Sequence, residues 1–189
     1  MSLPSRRWTA MAAAATTLLS LFSLVTTATT ASAACGTTNV ALNRPATAPS
    51  TENAGTPASA AVDGNTATRW ASAFSDPQWI QVDLGSSQQI CRVGLNWEAA
   101  YSSAYQIQVS ATGSAPWNTV YQTTTSTGGN QSIDVATTGR YVRINGTARA
   151  TGWGHSLWEL TVNTDDGGTG PTVPPTDPRN PNLGPNTFV

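Results

Sequence analysis

The sequence predicts an all-β fold with the strands arranged as one sandwich domain. Short alternating apolar runs fill residues 39–163 and are separated by Gly, Asn, Pro, Ser and Thr, a rhythm typical of antiparallel strands. Beyond the N-terminal segment, no stretch carries a helical period over three turns. About 125 residues of this kind are enough for one sandwich core.

Seven strands are predicted in chain order, at residues 79–84, 90–97, 105–110, 117–122, 131–135, 141–145 and 157–162. The first, WIQVDL, shows the pattern most clearly. Its apolar side chains Ile80, Val82 and Leu84 share one face, and Gln81 and Asp83 occupy the other. This alternation is expected of an antiparallel strand with one buried face.

The N-terminal segment has the features of an export signal. Arg6 and Arg7 precede an apolar run over residues 9–27, which leads to an A-x-A cleavage site at Ala31-Ser32-Ala33. The run lacks the charged flank of a stop-transfer segment and is interrupted by Thr and Ser, which disfavours a membrane anchor. We therefore interpret residues 1–33 as a signal peptide and expect a secreted, extracellular protein.

The charge of the remaining chain argues against two classes of partner. The signal peptide carries two of the nine basic residues and none of the ten acids, so the mature chain has a net charge of −3 and no lysine. Binding to nucleic acid or to anionic lipid depends on clustered cations. Scattered arginines on a mildly acidic chain therefore predict neither partner.

The chain contains two cysteines, Cys35 and Cys91. Export to an oxidising compartment favours a disulfide between them, and the loop-entropy model values such a closure at roughly 4 kcal/mol. Free thiols or a metal pair are the alternative, but the cysteines lack C-x-x-C spacing and a nearby histidine.

Composition changes sharply after Asn163. Residues 164–189 are rich in Pro, Gly and Thr and almost devoid of apolar side chains, so they cannot bury a core and are predicted to be a solvated linker. The folded domain is accordingly assigned to residues 34–163. The final LGPNTFV resembles the opening of another folded unit, and we expect a further module that this sequence lacks.

Six segments together resemble a discoidin domain, also called the F5/8 type C domain: NVALNRPATAPS (39–50), AVDGNTATRWAS (61–72), QWIQVDLG (78–85), LNWEAAY (95–101), RYVRINGT (140–147) and SLWELTV (156–162). The versions in secreted bacterial glucanases and chitosanases, classed as family 32 carbohydrate-binding modules, are the most similar. The resemblance implies an antiparallel jelly-roll β-sandwich like that of galactose-binding domains, with a structural calcium ion and a sugar site on the loops at one end.

The stretch AVDGNTATRW is a candidate calcium loop. Considered alone it has ordinary turn chemistry, and it does not fit the twelve-residue EF-hand pattern. Calcium needs six or more oxygen ligands, which the Asp63 carboxylate, the carbonyls of Ala60 and Asn65, and Thr68 could supply. The resemblance implies a remote ligand in the last strand, and Glu159 occupies that position.

The predicted sugar site lies on four loops, at residues 45–57, 71–77, 98–104 and 149–156. Sugar recognition combines an apolar surface for the ring face with fixed groups for the hydroxyls. The resemblance implies ligand contacts at Glu52, Arg69, Phe74 and Glu98, with Phe74 as a stacking platform. Two carboxylates near one ring would also suit a cationic amino sugar.

Three further aromatic side chains are candidates on these loops. The relatives often carry Tyr in the last loop, which here reads TGWGHS, so Trp153 or His155 must take that role. Tyr101 is a candidate both for ligand contact and for packing.

A small glycoside hydrolase acting through Glu52 and Glu98 is the first alternative. It needs two carboxyl groups facing each other about 5 to 10 Å apart, yet the chain has only three Glu, and the binding interpretation uses all of them. A Ser-His-Asp hydrolase would need His155, the only histidine, and no G-x-S-x-G or H-E-x-x-H motif is present. The sequence therefore predicts no enzyme.

A cell-surface adhesion domain is the second alternative, since animal discoidin domains bind membranes through apolar loop tips. The tips STENAGT and AAYSSA lack clustered Leu, Phe or Trp, so membrane insertion is not expected. We therefore predict a monomeric, non-catalytic module that targets an attached polysaccharide-degrading enzyme to a β-glucan, chitosan or galactose-type glycan. Glycosylation sequons stand at Asn130 and Asn145.

Overall fold

The computed structural model describes residues 35–165. The predicted signal peptide lies outside these residues. The predicted linker also lies outside them, except for Thr164 and Asp165, which end the last strand. The described part of the chain contains eight strands and one short 3₁₀ helix, connected by loops. The strands are β1 (Cys35–Asn39), β2 (Ala46–Thr47), β3 (Trp70–Ala71), β4 (Gln78–Trp97), β5 (Ser102–Ser110), β6 (Asn118–Thr123), β7 (Asn130–Arg149) and β8 (Ser156–Asp165), and the 3₁₀ helix is Ala58–Ala61.

The two longest strands, β4 and β7, organise the sheet. They pair antiparallel along almost their whole length, and the hydrogen-bonded order is β1-β8-β4-β7-β5-β6. One half of the β4–β7 pair is continued by β5 and β6, and the other half is flanked by β8 and β1. Side chains from both halves join a single buried core, so the all-β sandwich prediction is confirmed.

The alternation predicted for residues 79–84 is present in the structure. Ile80, Val82 and Leu84 are buried, whereas Gln81 and Asp83 are partly exposed. These side chains belong to the same core cluster as buried side chains of β5 and of β7, the strand that pairs with this part of β4. Burial of this apolar face is the main stabilising contribution, at about 25 cal/mol per Å² of apolar surface.

Strand number is where the structure differs most from the prediction. The separate strands predicted at 79–84 and 90–97 are both parts of β4, and those at 131–135 and 141–145 are both parts of β7. Gly85 has a φ of 87° within an irregularity of the β4–β7 register. The glycine and serines that suggested a turn thus form a bulge, which bends a strand without ending its pairing.

Cys35 and Cys91 form the predicted disulfide, with their Cα atoms 5.5 Å apart. The bond links β1 to β4, and β8 lies between these strands in the sheet. This end of the sheet also carries β8 through Asp165, two residues beyond the predicted limit of the domain. Within residues 35–165 no helix has the length and apolar character needed to cross a membrane.

The outer face of the sheet carries an ion pair between Asp83 and Arg140. Both carboxylate oxygens accept hydrogen bonds from Arg140, from Nε and Nη2, each at 2.7 Å. These bonds from Arg140 are the main reason that the pKa of Asp83 falls from its ordinary value of 3.8 to about 2. A carboxylate whose pKa is lower in the folded state stabilises the fold only while it is ionised.

We predict that Asp83→Asn lowers the free energy of unfolding at neutral pH. The difference from wild type should shrink as the pH falls from about 4 to about 2, because the Asp83 of the wild type becomes protonated there. Urea denaturation at several pH values measures this. Asp134→Asn, which removes an exposed ion pair with Arg92, should remain near wild type at neutral pH. A difference for Asp83→Asn that persists at pH 2 would contradict the electrostatic explanation.

Candidate functional site

Four loops meet at one end of the sandwich and are joined by backbone hydrogen bonds. Glu52 N–H donates to the carbonyl of Ala71 (2.7 Å), and Ser72 N–H donates to that of His155 (2.9 Å). Glu98 N–H donates to the carbonyl of Ser156 at 3.1 Å. The four loops predicted to carry the site therefore belong to one connected unit.

These loops enclose an open pocket of about 540 Å³. Four of the predicted ligand residues, Glu52, Arg69, Glu98 and Trp153, contribute to its wall. Small residues supply most of the remaining wall: Ala71, Ala99, Ala100, Thr151, Gly152, Gly154 and Ser156. Because these side chains are short, the charged groups and the indole are the groups available for recognition.

Arg69 is held at the base of this pocket by two partners. Its Nη2 lies 3.2 Å from Oε2 of Glu52, and its Nη1 donates to Oγ of Ser156 at 2.9 Å. Ser156 in turn donates to the carbonyl of Trp70 at 3.1 Å. The guanidinium is therefore directed into the pocket and not toward the neighbouring candidate calcium loop. Ser156 was not predicted, since a single serine carries no distinguishing signal in the sequence.

Glu98 contributes a carboxylate to the wall with a hydrogen bond at one of its two oxygens. Its Oε2 accepts a hydrogen bond from the backbone N–H of Ala100 at 2.8 Å. No partner for Oε1 occurs among the described residues, so this oxygen can accept a hydrogen bond from a ligand. Together with the Glu52–Arg69 pair, it places acceptors and donors in a single pocket.

Phe74 and Trp153 form an exposed aromatic pair at the rim. They are 49% and 63% exposed, and their ring centroids lie 5.4 Å apart in an edge-to-face arrangement. Of the two rings, Trp153 lines the pocket and Phe74 does not. Phe74 is therefore connected to the pocket through its contact with Trp153. Exposed aromatic rings of this kind offer faces on which a sugar ring can stack.

The structure corrects the prediction that His155 is a candidate for sugar contact. It is only 1% exposed, and both ring nitrogens are engaged, Nδ1 with Ser102 and Nε2 with Asp76. It therefore has no polar atom available for a ligand. Of the two candidates in the last loop, Trp153 is the residue that reaches the pocket. The sequence could not separate them, because the Gly residues around both give no periodicity.

Tyr101 also lies outside the pocket. Its half-buried ring packs against Gly128, where a Cβ atom would come within 2.6 Å of the tyrosine Cδ1. Its backbone carbonyl accepts a hydrogen bond from Ala150 N–H at 3.0 Å. Tyr101 therefore supports the loops from behind, which agrees with the packing alternative.

The candidate calcium loop brings two carboxylates together. Asp63 accepts hydrogen bonds from Thr68 Oγ1 (2.7 Å) and from Asn65 N–H (2.9 Å). Glu159 faces it from β8, is 7% exposed, and finds no hydrogen-bond partner for either carboxylate oxygen within residues 35–165. Burial, together with the nearby Asp63, raises the pKa of Glu159 despite the opposing effect of two backbone amides in the loop.

An orphaned buried carboxylate is costly and calls for a cation or a proton. Residues 35–165 hold no cluster of three or more His, Cys, Asp or Glu side chains suited to a metal ion. The two carboxylates would therefore need neutral oxygens to complete a shell. Asn65 and Thr68 in the same loop and Ala60 in the preceding 3₁₀ helix can provide them, so the residues present fit a calcium ion.

Comparison with known proteins agrees with this architecture. Residues 45–160 match the sequence model of the F5/8 type C domain. The crystal structure of chitosan-binding module 1 from the chitosanase/glucanase of Paenibacillus sp. IK-5 is 57% identical, with a TM-score of 0.64, over 66% of this chain and 98% of that one. Module 2 of the same enzyme, solved in complex with chitotriose, is 53% identical, with a TM-score of 0.63 and the same coverage.

A more distant structure shares the fold. The family 32 carbohydrate-binding module of Clostridium perfringens NanJ, in complex with galactose, is 23% identical, with a TM-score of 0.57, over 64% of this chain and 93% of that one. The comparison with curated proteins gives no match. The family match covers more than half of the 189 residues, and this chain belongs to the F5/8 type C domain family.

Proposed function

We propose that this protein is a secreted, non-catalytic carbohydrate-binding module that holds an attached polysaccharide-degrading enzyme on a chitosan-like polymer. The single observation that carries the proposal is the pocket containing Glu52, Arg69 and Glu98 beside the exposed Trp153. The relatives named above as chitosan-binding modules, at 57% and 53% identity, support the choice of polymer. The Cys35–Cys91 disulfide and the predicted signal peptide support export.

The carboxylates favour an amino sugar over a neutral glucan. A protonated amine can donate to the unpartnered Oε1 of Glu98, and a hydrogen bond to a charged group contributes about 1.5–3 kcal/mol. The Glu52–Arg69 pair supplies an acceptor and a donor for ring hydroxyls. A neutral sugar could use the same donors and acceptors but would gain no ionic contribution.

An open pocket of this kind implies weak binding of a sugar, with a Kd in the micromolar to millimolar range, or about −8 to −4 kcal/mol. Weak binding is sufficient for this role. A flexible tether keeps an attached enzyme at a high effective concentration near its polymer, while fast dissociation allows it to move along the surface.

We predict that Glu98→Gln weakens binding to a glucosamine trisaccharide about tenfold, equivalent to about 1.4 kcal/mol. The variant keeps an oxygen for Ala100 N–H but loses the charge. Isothermal titration calorimetry should show a much smaller loss for the N-acetylated trisaccharide, which has no ammonium group. Equal losses for both ligands, or none for either, would contradict the ionic contact.

A second prediction concerns the aromatic rim. Trp153→Ala should weaken retention on insoluble chitosan at least about tenfold, because a Trp that contacts the ligand is typically among the few side chains that carry most of the binding energy, and should leave Tm nearly unchanged. Leu42→Ala is the matched control, since Leu42 is also large and exposed, at 45%. Wild-type retention by Trp153→Ala, or an equal loss in Leu42→Ala, would rule out the rim as the stacking surface.

We also propose that calcium occupies the loop between Asp63 and Glu159 and links it to β8. The ion would neutralise the repulsion between the two carboxylates and so stabilise the fold. Its role is structural, because its proposed ligands do not belong to the pocket wall described above.

Calcium at about a hundredfold excess over its Kd should stabilise the wild type by about 2.7 kcal/mol, raising Tm by several degrees in a thermal scan against EDTA. Glu159→Gln should abolish this response and should raise the Tm of the calcium-free protein, because it removes a buried, unpaired charge. Glu52→Gln, in the pocket, should keep the full response. A calcium response that survives in Glu159→Gln would place the ion elsewhere.

A further inference from the structure

Beside the aromatic rim, a series of side-chain hydrogen bonds connects four residues that do not line the pocket. Ser102 Oγ lies 2.7 Å from Nδ1 of His155, and Nε2 of His155 lies 2.8 Å from Oδ1 of Asp76. The second oxygen of Asp76 accepts a hydrogen bond from Nε of Arg149 at 3.3 Å. The chain thus runs from the interior at Ser102 to the surface at Arg149.

The direction of each hydrogen bond follows from the groups involved. A carboxylate only accepts, so Nε2 of His155 must carry the hydrogen that points to Asp76. Nδ1 is then the acceptor, and the hydroxyl of Ser102 donates to it. Burial lowers the pKa of His155, with Arg149 contributing and Asp76 opposing, so the imidazole is neutral at neutral pH and this tautomer is the one present.

The three residues have the composition of a hydrolytic triad but not its access. Ser102 is 0% exposed and His155 is 1% exposed. The backbone of Gly146 covers them, so that even a Cβ atom there would lie 2.5 Å from Nδ1 and 2.7 Å from the serine Oγ. No space remains for an acyl carbon at the hydroxyl, which excludes nucleophilic catalysis by Ser102.

The position of the chain relative to the rim points to another role. Asp76 comes two residues after Phe74, and His155 comes two residues after Trp153. Arg149, which pairs with Asp76, also donates from Nη1 to the carbonyl of Trp153 at 3.4 Å. The loop that carries each exposed ring is therefore tied to the loop that carries the other.

A second tie joins the same loops through the backbone. His155 N–H donates to Oγ of Ser72, and Ser72 N–H donates to the carbonyl of His155, both at 2.9 Å. Ser102 fixes the imidazole to the start of β5. The rings of Phe74 and Trp153 contact each other edge to face, and a large part of each residue is exposed.

We propose that His155 and Asp76 are positioning residues that hold the Phe74 and Trp153 rings in their edge-to-face arrangement, and that this arrangement sets the affinity for polysaccharide. The effect on affinity rests on the proposed function, whereas the effect on ring geometry does not. Neither residue contacts the ligand. Their contribution is preorganisation, which raises affinity by reducing the ordering that binding would otherwise require.

Asp76→Ala tests this with little risk to the fold, because the side chain lies partly at the surface and its removal leaves no large cavity. The full chain is compared by two measurements: NMR cross-relaxation between the Phe74 and Trp153 rings, and calorimetric affinity for a glucosamine trisaccharide. We expect Asp76→Ala to lose the ring-to-ring contacts and to bind about tenfold more weakly. Asp76→Asn, which restores an acceptor for Nε2–H, should recover most of both.

Asp134→Ala is the matched control, since it removes a carboxylate paired to Arg92 in the β4–β7 sheet away from the pocket, and it should change neither measurement. Retained ring contacts in Asp76→Ala would overturn the proposal, whether or not affinity falls. Lost contacts with unchanged affinity would overturn the link to binding. If the wild type fails to bind the trisaccharide, the proposed function is wrong. The ring-to-ring contacts in Asp76→Ala then still decide whether His155 and Asp76 position the two rings.

Discussion

The site depends on the segment where the chain enters β8, which consists of His155, the residue before the strand, and Ser156, its first residue. Through its backbone it accepts hydrogen bonds from Ser72 and Glu98, and Ser156 N–H donates to the carbonyl of Ala100. Through its side chains it holds Arg69 and Asp76. Loops on a sandwich are normally its most variable parts, but here two consecutive residues at the junction of a loop and a core strand join three of them. The charged pocket and the aromatic rim are consequently two surfaces of one rigid unit.

Rigidity of this kind matches what the pocket can offer a ligand. Most of its wall consists of small residues, so few large side chains are available to bind a sugar. Arg69 is fixed by Glu52 and Ser156, and Glu98 is fixed by a backbone amide. Fixed groups lose little conformational entropy on binding, which suits an open site with modest contact area. Asp63 and Glu159 form the candidate calcium site, which would secure the loop that leads into Arg69.

Local pattern was sufficient to predict the sandwich, because residues such as Ile80 and Val82 alternate with polar ones and only one face of a strand is buried. It was not sufficient to predict strand continuity. A glycine such as Gly85 is typical of turns and of bulges alike, and only the pairing of β4 with β7 shows that the strand continues. The disulfide could be predicted because the chain offers one pairing. The pocket residues Glu52, Arg69 and Glu98 were accessible only through resemblance. Burial of His155 was not accessible at all, because it depends on Ser102 and Asp76, which are distant in the sequence.

The central claim is that one pocket, with carboxylates and a guanidinium beside an exposed indole, receives an amino sugar. The most direct measurement is a two-dimensional NMR titration with a glucosamine trisaccharide that follows backbone amides, the Arg69 Nε–H and the Trp153 indole N–H. We expect the shifted signals to cluster at residues 52, 69, 98–100 and 151–156 while the signals around the Cys35–Cys91 disulfide stay unchanged. Shifts centred on the sheet face or near the disulfide, with the Arg69 and Trp153 signals unmoved, would contradict it.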